Sequence, residues 1–425
     1  MKIKTKRLSY DEVMALPHAK HKDPKKPSIL FRTIVRVASS FDLMSARFKY
    51  TRTDMGKAGK GPYLVLMNHS SFIDLEIASK IMYPRPYAIV STTDGLVGKS
   101  WLMRQIGCIP TQKFVSDITL IRDILFSLNK NKTSVLMYPE AGYSFDGTAT
   151  PIPRKLGSFI KRLGVPVVSI HTDGAFARDP LYNCLQKRKV KVTADMKCLL
   201  SVEEIKEKSC EEIEKILDDA FTFDNFAWQY ENKIVINEPF RADGLERIIY
   251  KCASCGAEGD SMKGEGTELY CKKCGKRYTL SELGRLESEG DVEFPHIPDW
   301  YRWERECVKR EIEEKTYSLD TEVEIGMLID HKALYMVGEG RLIHDENGFT
   351  LTGCDGKLEY HQKPLSSYSL NSDYYWYEIG DVISIGNRDC LYYLFPKKPG
   401  VVTKARLAAE ELYKIAKEEK KLTAK

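Results

Sequence analysis

The 425-residue chain has no uninterrupted apolar run of the ~18 residues that a membrane-spanning helix requires. Its best candidate, 29–41, is broken by Arg32 and Arg36. The opening MKIKTKRLSYDEV lacks an apolar stretch of signal-peptide length, and the 11 cysteines are an odd number. We therefore expect reduced thiols in a cytoplasmic setting and no disulfide framework. With 28 glycines and 18 prolines the composition is too ordinary for a fibrous or disordered chain, and no internal repeat is present. A G-x-S-x-G elbow is also missing, which argues against a serine hydrolase.

What is present is uneven. Residues 1–50 hold twelve Lys/Arg against four Asp/Glu, whereas the whole chain is only +5, so the basic excess is N-terminal. Residues 1–27 read as a basic arm ending at Pro24-Lys25-Lys26-Pro27. Ser28 then caps a helix running to Phe41, with Leu30, Phe31, Ile34, Val35, Val37, Ala38 and Phe41 at helical spacing and both arginines on one flank. That helix suits either an anionic membrane surface or packing against the following domain.

From Gly61 to about Glu238 short apolar runs alternate with longer helical patterns. Strands are expected at 63–67, 87–90, 134–138, 165–170 and 190–196, with helices at 117–129, 153–163 and 202–220. This is the pattern of an α/β domain with a largely parallel sheet, spanning 28–248 with its N-terminal helix. Residues 249–290 carry four cysteines and little apolar content, too little core to fold without a staple. A charged helix follows at 296–316. The segment 317–418 is β-rich and ends in a helix.

Cys252-x2-Cys255-x15-Cys271-x2-Cys274, with Gly256 and Gly275 directly after the pairs, has the spacing of a zinc ribbon. Four thiolates leave no open position, so a structural zinc is expected; an iron–sulfur centre or a redox dithiol are the alternatives. The other seven cysteines show no ligand spacing.

At the end of the first strand of the α/β domain stands Asn68-His69-Ser70-Ser71-Phe72-Ile73-Asp74, and a second strand runs into Tyr138-Pro139-Glu140-Ala141-Gly142. Between them lies Gly107-Cys108-Ile109-Pro110-Thr111-Gln112-Lys113, and after them Val165-Pro166-Val167-Val168-Ser169-Ile170. Together these four elements resemble, in order, the motifs of the glycerolipid acyltransferases typified by lysophosphatidic acid acyltransferase, over residues 28–240. The resemblance implies an acyl group moved from an acyl-CoA or acyl carrier protein thioester to a hydroxyl of a lysophospholipid-like acceptor. It also implies a peripheral position on the cytoplasmic membrane face. His69 would be the general base oriented by Asp74, and Glu140, Gly142 and Lys113 would belong to the acceptor site.

The residue types agree with that chemistry. Histidine titrates near neutrality and can take a hydroxyl proton, and a carboxylate on its other nitrogen fixes the tautomer. Ser70 and Ser71 read as helix-capping residues. Glu140 suits a site role or support of the Pro139 turn. Two arginines of the family pattern are replaced, one by Lys113 and one by Tyr143, which weakens the grip on a phosphomonoester. Arg154 and Lys155 are candidates for replacement charge. The C-terminal segment, with Tyr377 to Ile385, loosely resembles pleckstrin-homology or GRAM-like domains. The rival reading is an inactive acyltransferase fold serving as a lipid- or nucleic-acid-binding scaffold. Acids beside the ribbon lysines speak against a phosphate-binding field.

Overall fold

The computed structural model describes residues 2–115 and 117–423. Its α/β domain is built on a seven-stranded sheet in the order Lys49–Thr53, Thr193–Leu200, Val167–Asp173, Leu64–Met67, Ser134–Met137, Tyr87–Thr92, Cys108–Thr111. The last five run parallel, and Thr193–Leu200 is antiparallel to Val167–Asp173. Leu64, Val65, Leu66 and Met67 are wholly buried, as a strand covered by helices on both faces must be. The five strands read from the sequence are all present. Lys49–Thr53 escaped that reading because it is an exposed edge without an apolar alternation. Cys108–Thr111 escaped it because Pro110 interrupts its short apolar run.

Helix Ile118–Asn129 starts at an Asp117 cap, as expected. The expected helix 202–220 is two helices, Val202–Glu207 and Cys210–Ala220. Ser201 with Glu204 and Ser209 with Glu212 each form a complete capping box, and the second box starts a new helix after two residues in extended conformation, Lys208 and Ser209.

The ribbon is a four-stranded antiparallel sheet of Met262–Glu265, Glu268–Cys271, Arg277–Leu280 and Leu286–Glu287. Helix Ile297–Glu313 follows, with Pro298 in its first turn. The C-terminal sheet comprises two antiparallel meanders. Leu319–Leu328, Leu334–Asp345, Gly348–Gly353 and Leu358–Gln362 form one; Asn371–Trp376, Gly380–Gly386 and Leu391–Pro396 form the other. They join where Leu319–Leu328 pairs with Leu391–Pro396, and helix Val401–Thr423 packs against them.

The boundaries drawn on the sequence do not mark separate cores. Leu269 and Tyr278 of the ribbon, Trp300 of the connecting helix and Ile325 and Leu407 of the C-terminal domain belong to one continuous apolar core, which also takes in Phe145 and Phe176 of the α/β domain. Nor is the basic segment 1–27 a free arm. Thr5–Arg7 add to the C-terminal sheet in parallel with Leu334–Met336, and the capping-box helix Tyr10–Met14 buries Val13 completely. His21 then reaches Asp123 of the α/β domain at 3.0 Å. The segment straps two domains together through the strand pairing, in which the Lys4 carbonyl accepts the Leu334 N–H at 2.9 Å, and through the His21–Asp123 contact.

Candidate active site

His69 and Asp74 meet at the end of Leu64–Met67, where a parallel sheet opens its crevice. His69 Nδ1 lies 3.0 Å from Asp74 Oδ2. The backbone N–H groups of Ser70 and Ser71 donate to the same oxygen at 2.9 and 3.1 Å. The turn before helix Asp74–Met82 thus folds around the carboxylate. Ser70 and Ser71 do not cap that helix with their side chains, contrary to expectation: Ile73 is the cap residue, and Ser71 Oγ bonds Asp179. With Nδ1–H donated to Asp74, Nε2 is left to accept a proton.

Burial holds His69 well below its ordinary value, and the nearby Lys113 charge adds to this, so the ring is neutral at pH 7. Burial pushes Asp74 up to about 7 against the pull of the Ser71 and Ser70 N–H groups. The ring is held between Tyr138 and Tyr143, with centroids 3.9 and 3.8 Å away. These flat contacts restrict it to one plane. Asn68, unassigned in the sequence reading, clamps the floor: its Oδ1 accepts the Thr172 N–H at 2.8 Å and its Nδ2 donates to the Thr172 carbonyl at 3.2 Å, tying two strand ends together.

Glu140 is buried beneath this turn. One oxygen accepts the His69 backbone N–H at 3.0 Å and the other the Thr150 N–H at 3.2 Å. It fixes the two motif loops to each other, the supporting role weighed against an acceptor contact. Neither Glu140 nor Gly142 borders the cleft, whereas Lys113, Ala141 and Tyr143 do. Arg154 pairs with Asp218 at 2.8 Å, and the Lys155 backbone N–H donates to Glu214. Both stand at the start of helix Leu156–Leu163, next to Pro153, which borders the cleft; neither of the two lines it.

The cleft itself has a volume of about 1010 Å³. His69, Asp74 and Lys113 line one side, and Asp373, Tyr374 and Trp376 of the C-terminal domain line the other. This second wall was not legible as part of the site; its signal was the tyrosine-rich stretch from Tyr368 to Tyr377, which equally suits an ordinary sheet surface.

The four ribbon cysteines form a separate cluster, with all Sγ atoms within 4.8 Å of one another. Cys252 Sγ and Cys274 Sγ are 3.8 Å apart, and Cys255 Sγ and Cys271 Sγ 3.7 Å. Four thiolates about 2.3 Å from one tetrahedral zinc span edges of about 3.8 Å, so the donor set fits a single ion. Gly256 and Gly275, at φ 72° and 77°, close equivalent turns in which their N–H groups bond the Cys252 and Cys271 carbonyls.

No curated protein matches the chain. Among solved structures, the 1-acyl-sn-glycerophosphate (LPA) acyltransferase PlsC from Thermotoga maritima is similar at 16% identity and a TM-score of 0.35, covering 45% of this chain and 76% of that one. Residues 47–172, which carry His69, Asp74, Lys113 and Glu140, match the family model described as Acyltransferase, and in this segment the chain is similar to that family.

Proposed function

We propose that the protein transfers a fatty acyl group from a thioester donor, acyl-CoA or acyl carrier protein, to a hydroxyl of a lysophospholipid-like acceptor. The observation that carries this reading is the part-buried His69–Asp74 contact of 3.0 Å at the wall of the cleft. The acceptor hydroxyl gives its proton to His69 Nε2 as its oxygen attacks the thioester carbonyl. Asp74 stabilises the resulting imidazolium through Nδ1–H. Collapse of the tetrahedral intermediate expels a thiolate whose conjugate acid has a pKa of about 8.5, so the leaving group needs little help and no enzyme nucleophile is required. Tyr138 and Tyr143 hold the ring and shield it from water.

The same reading places the protein peripherally on the cytoplasmic face of a membrane, where thioester donors are found. No helix among the described residues is long and apolar enough to cross a bilayer. Helix Ile29–Ser45, however, leaves Leu30, Ile34, Val37, Phe41 and Met44 exposed, Phe41 by 71%. Trp101, 67% exposed, extends this stripe through its edge contact with Phe31, and Met103 on the same short helix lines the cleft. The ribbon holds a structural zinc on Cys252, Cys255, Cys271 and Cys274. The C-terminal domain, seven antiparallel strands closed by a helix, is read as pleckstrin-homology- or GRAM-like.

A nucleic-acid scaffold is disfavoured by pairing in and beside the ribbon: Lys251 with Glu258, Lys263 with Glu246, Lys272 with Asp260 and Arg277 with Glu268. These four cations of the basic edge already have carboxylate partners. The test is lipid analysis of purified protein incubated with radiolabelled acyl-CoA, or acyl carrier protein, and a set of lysolipids. Labelled diacyl product is expected; its absence with both donors would overturn the assignment.

A further inference from the structure

The strand Asn371–Trp376 brings chemistry of its own to the acyl-transfer cleft. Its pairing with Gly380–Gly386 is irregular between Asp373 and Trp376, and Tyr375 and Tyr377 adopt φ of 50° and 47°. This irregularity lets Asp373, Tyr375, Trp376 and Tyr377 all border one cavity, which a regular strand with its side chains on alternating faces would not do. Lys113 borders the same cavity from the α/β domain, its Nζ 5.9 Å from the centre of the Tyr143 ring that covers His69.

Lys113 and Asp373 carry opposite charges but form no ion pair with each other, and among the described residues neither has another ion-pair partner within 4.0 Å. One Asp373 oxygen accepts the Tyr374 N–H; the other has no protein partner among those residues. The two charges are nevertheless close enough to interact: burial pushes Asp373 up to about 7, and Lys113 pulls it back down. By contrast Lys187, also on the cleft wall, is already paired with Asp42 at 2.6 Å.

We propose that Lys113 and Asp373, one from each domain, form a head-group subsite for a zwitterionic acceptor, Lys113 facing its phosphate and Asp373 its ammonium group. The inference rests on the lysolipid reading above and names its substrate class. At Lys113 and Asp373 a phosphomonoester carrying close to two negative charges would meet a lysine and, beside it, a repelling carboxylate; Lys99 borders the same cavity. A phosphodiester bearing an ammonium group satisfies both. The aromatic wall suits the cation as well, since Trp and Tyr faces attract ammonium groups in water-excluded sites.

The test compares kcat/KM for lysophosphatidic acid, lysophosphatidylethanolamine and lysophosphatidylcholine of one chain length in neutral detergent micelles, with binding of each followed separately by tryptophan fluorescence. The parent protein should prefer the two zwitterionic acceptors about tenfold, the effect of one charge-assisted contact. Asp373→Asn should abolish that preference, raising the relative use of lysophosphatidic acid about tenfold. Lys113→Gln should weaken all three, lysophosphatidic acid most. A parent that prefers lysophosphatidic acid, or a head-group order unchanged in Asp373→Asn, overturns the subsite while leaving acyl transfer intact. Failure of the underlying reading looks different: the parent acylates none of the three, whatever it binds, and both ideas fall.

Discussion

Arg406, on the C-terminal helix, donates to the backbone carbonyl of Tyr143 at 3.2 Å, and Tyr143 in turn covers the imidazole of His69. A residue 263 positions beyond the tyrosine therefore holds the ring that frames the candidate base. Arg406 is buried, with its guanidinium 4.2 Å from the centre of Phe145 and 3.4 Å from Glu410. It acts as a positioning residue. Replacing it with methionine should lower kcat more than it raises KM, because the Tyr143 loop loosens. It should also destabilise the fold by roughly 3 kcal/mol, the scale of breaking a buried ion pair, as Glu410 keeps Arg305. Steady-state kinetics and thermal denaturation read the two effects; a stability loss with unchanged kcat would reduce Arg406 to a structural role.

His69→Ala should lower acyl transfer by about 10²–10⁴-fold with the fold intact by circular dichroism, the usual contribution of a general base. Asp74→Asn should fall nearly as far. The parent's kcat/KM should rise with pH and level off above about 7, because His69 loses its proton below its ordinary range and Asp74 near 7. Full activity in purified His69→Ala protein would exclude the mechanism.

Much of this site was legible because its parts are local in the chain. His69 and Asp74 are five residues apart, the CxxC pairs carry their own turn glycines, and the parallel strands are short apolar runs followed by motif residues. The rest depends on contacts between distant segments. Asp373 and Tyr374 reach the cleft only because the C-terminal sheet docks there, and no spacing within 368–377 encodes that. Thr5–Arg7 likewise join a strand more than three hundred residues away. Glu140 reads in the sequence as either a site residue or a support of its turn, since a carboxylate serving backbone N–H groups looks the same there as one serving a ligand.

Zinc removal should unsettle more than the ribbon. Trp300 donates its indole N–H to the Lys251 carbonyl at 3.0 Å and meets Tyr278 edge-on at 5.0 Å, so the shared core leans on the four-cysteine cluster. One zinc per chain should copurify. Stripping it with a chelator should shift tryptophan emission to the red and lower the melting temperature of the whole protein, given how much folding energy structural zinc supplies. Elemental analysis finding iron, or less than about a tenth of an equivalent of zinc, would contradict the assignment.

Three carboxyls should each contribute less stability as pH rises from about 4 to 7, while the buried His344, whose lowered value works the other way, adds stability as pH rises through the ordinary histidine range. Burial lifts Glu76 and Glu140 to about 7 and Asp179 to about 6, above their ordinary values. Over that interval the folded state holds protons that the unfolded chain has released, so stability from these groups is full below their ordinary values and lost through the raised ones. Glu76 has one buried oxygen with no partner. Glu76→Gln should therefore gain more melting temperature over the parent at pH 8 than at pH 5.5. An equal gain at both values would mean that Glu76 titrates alike in the folded and unfolded states.

Membrane attachment should depend on the exposed stripe of Ile29–Ser45 and on the basic residues beside it. One amphipathic helix binds marginally, and each Lys or Arg near an anionic surface adds about 1 kcal/mol, so the two contributions are needed together. Arg32 and Arg36 share one flank of the helix, and both hydrogen-bond within the protein, Arg32 to the Pro84 carbonyl and Arg36 to Ser40. Their side chains are thus ordered at the edge of the apolar stripe. Replacing Phe41 and Met44 with serine should release the protein from anionic liposomes in flotation while leaving its melting temperature within a degree or two, because both side chains are exposed. Raising salt should weaken binding of the parent by screening the basic component. If the double variant still floats with anionic liposomes as the parent does, this face of the helix is not what meets the membrane.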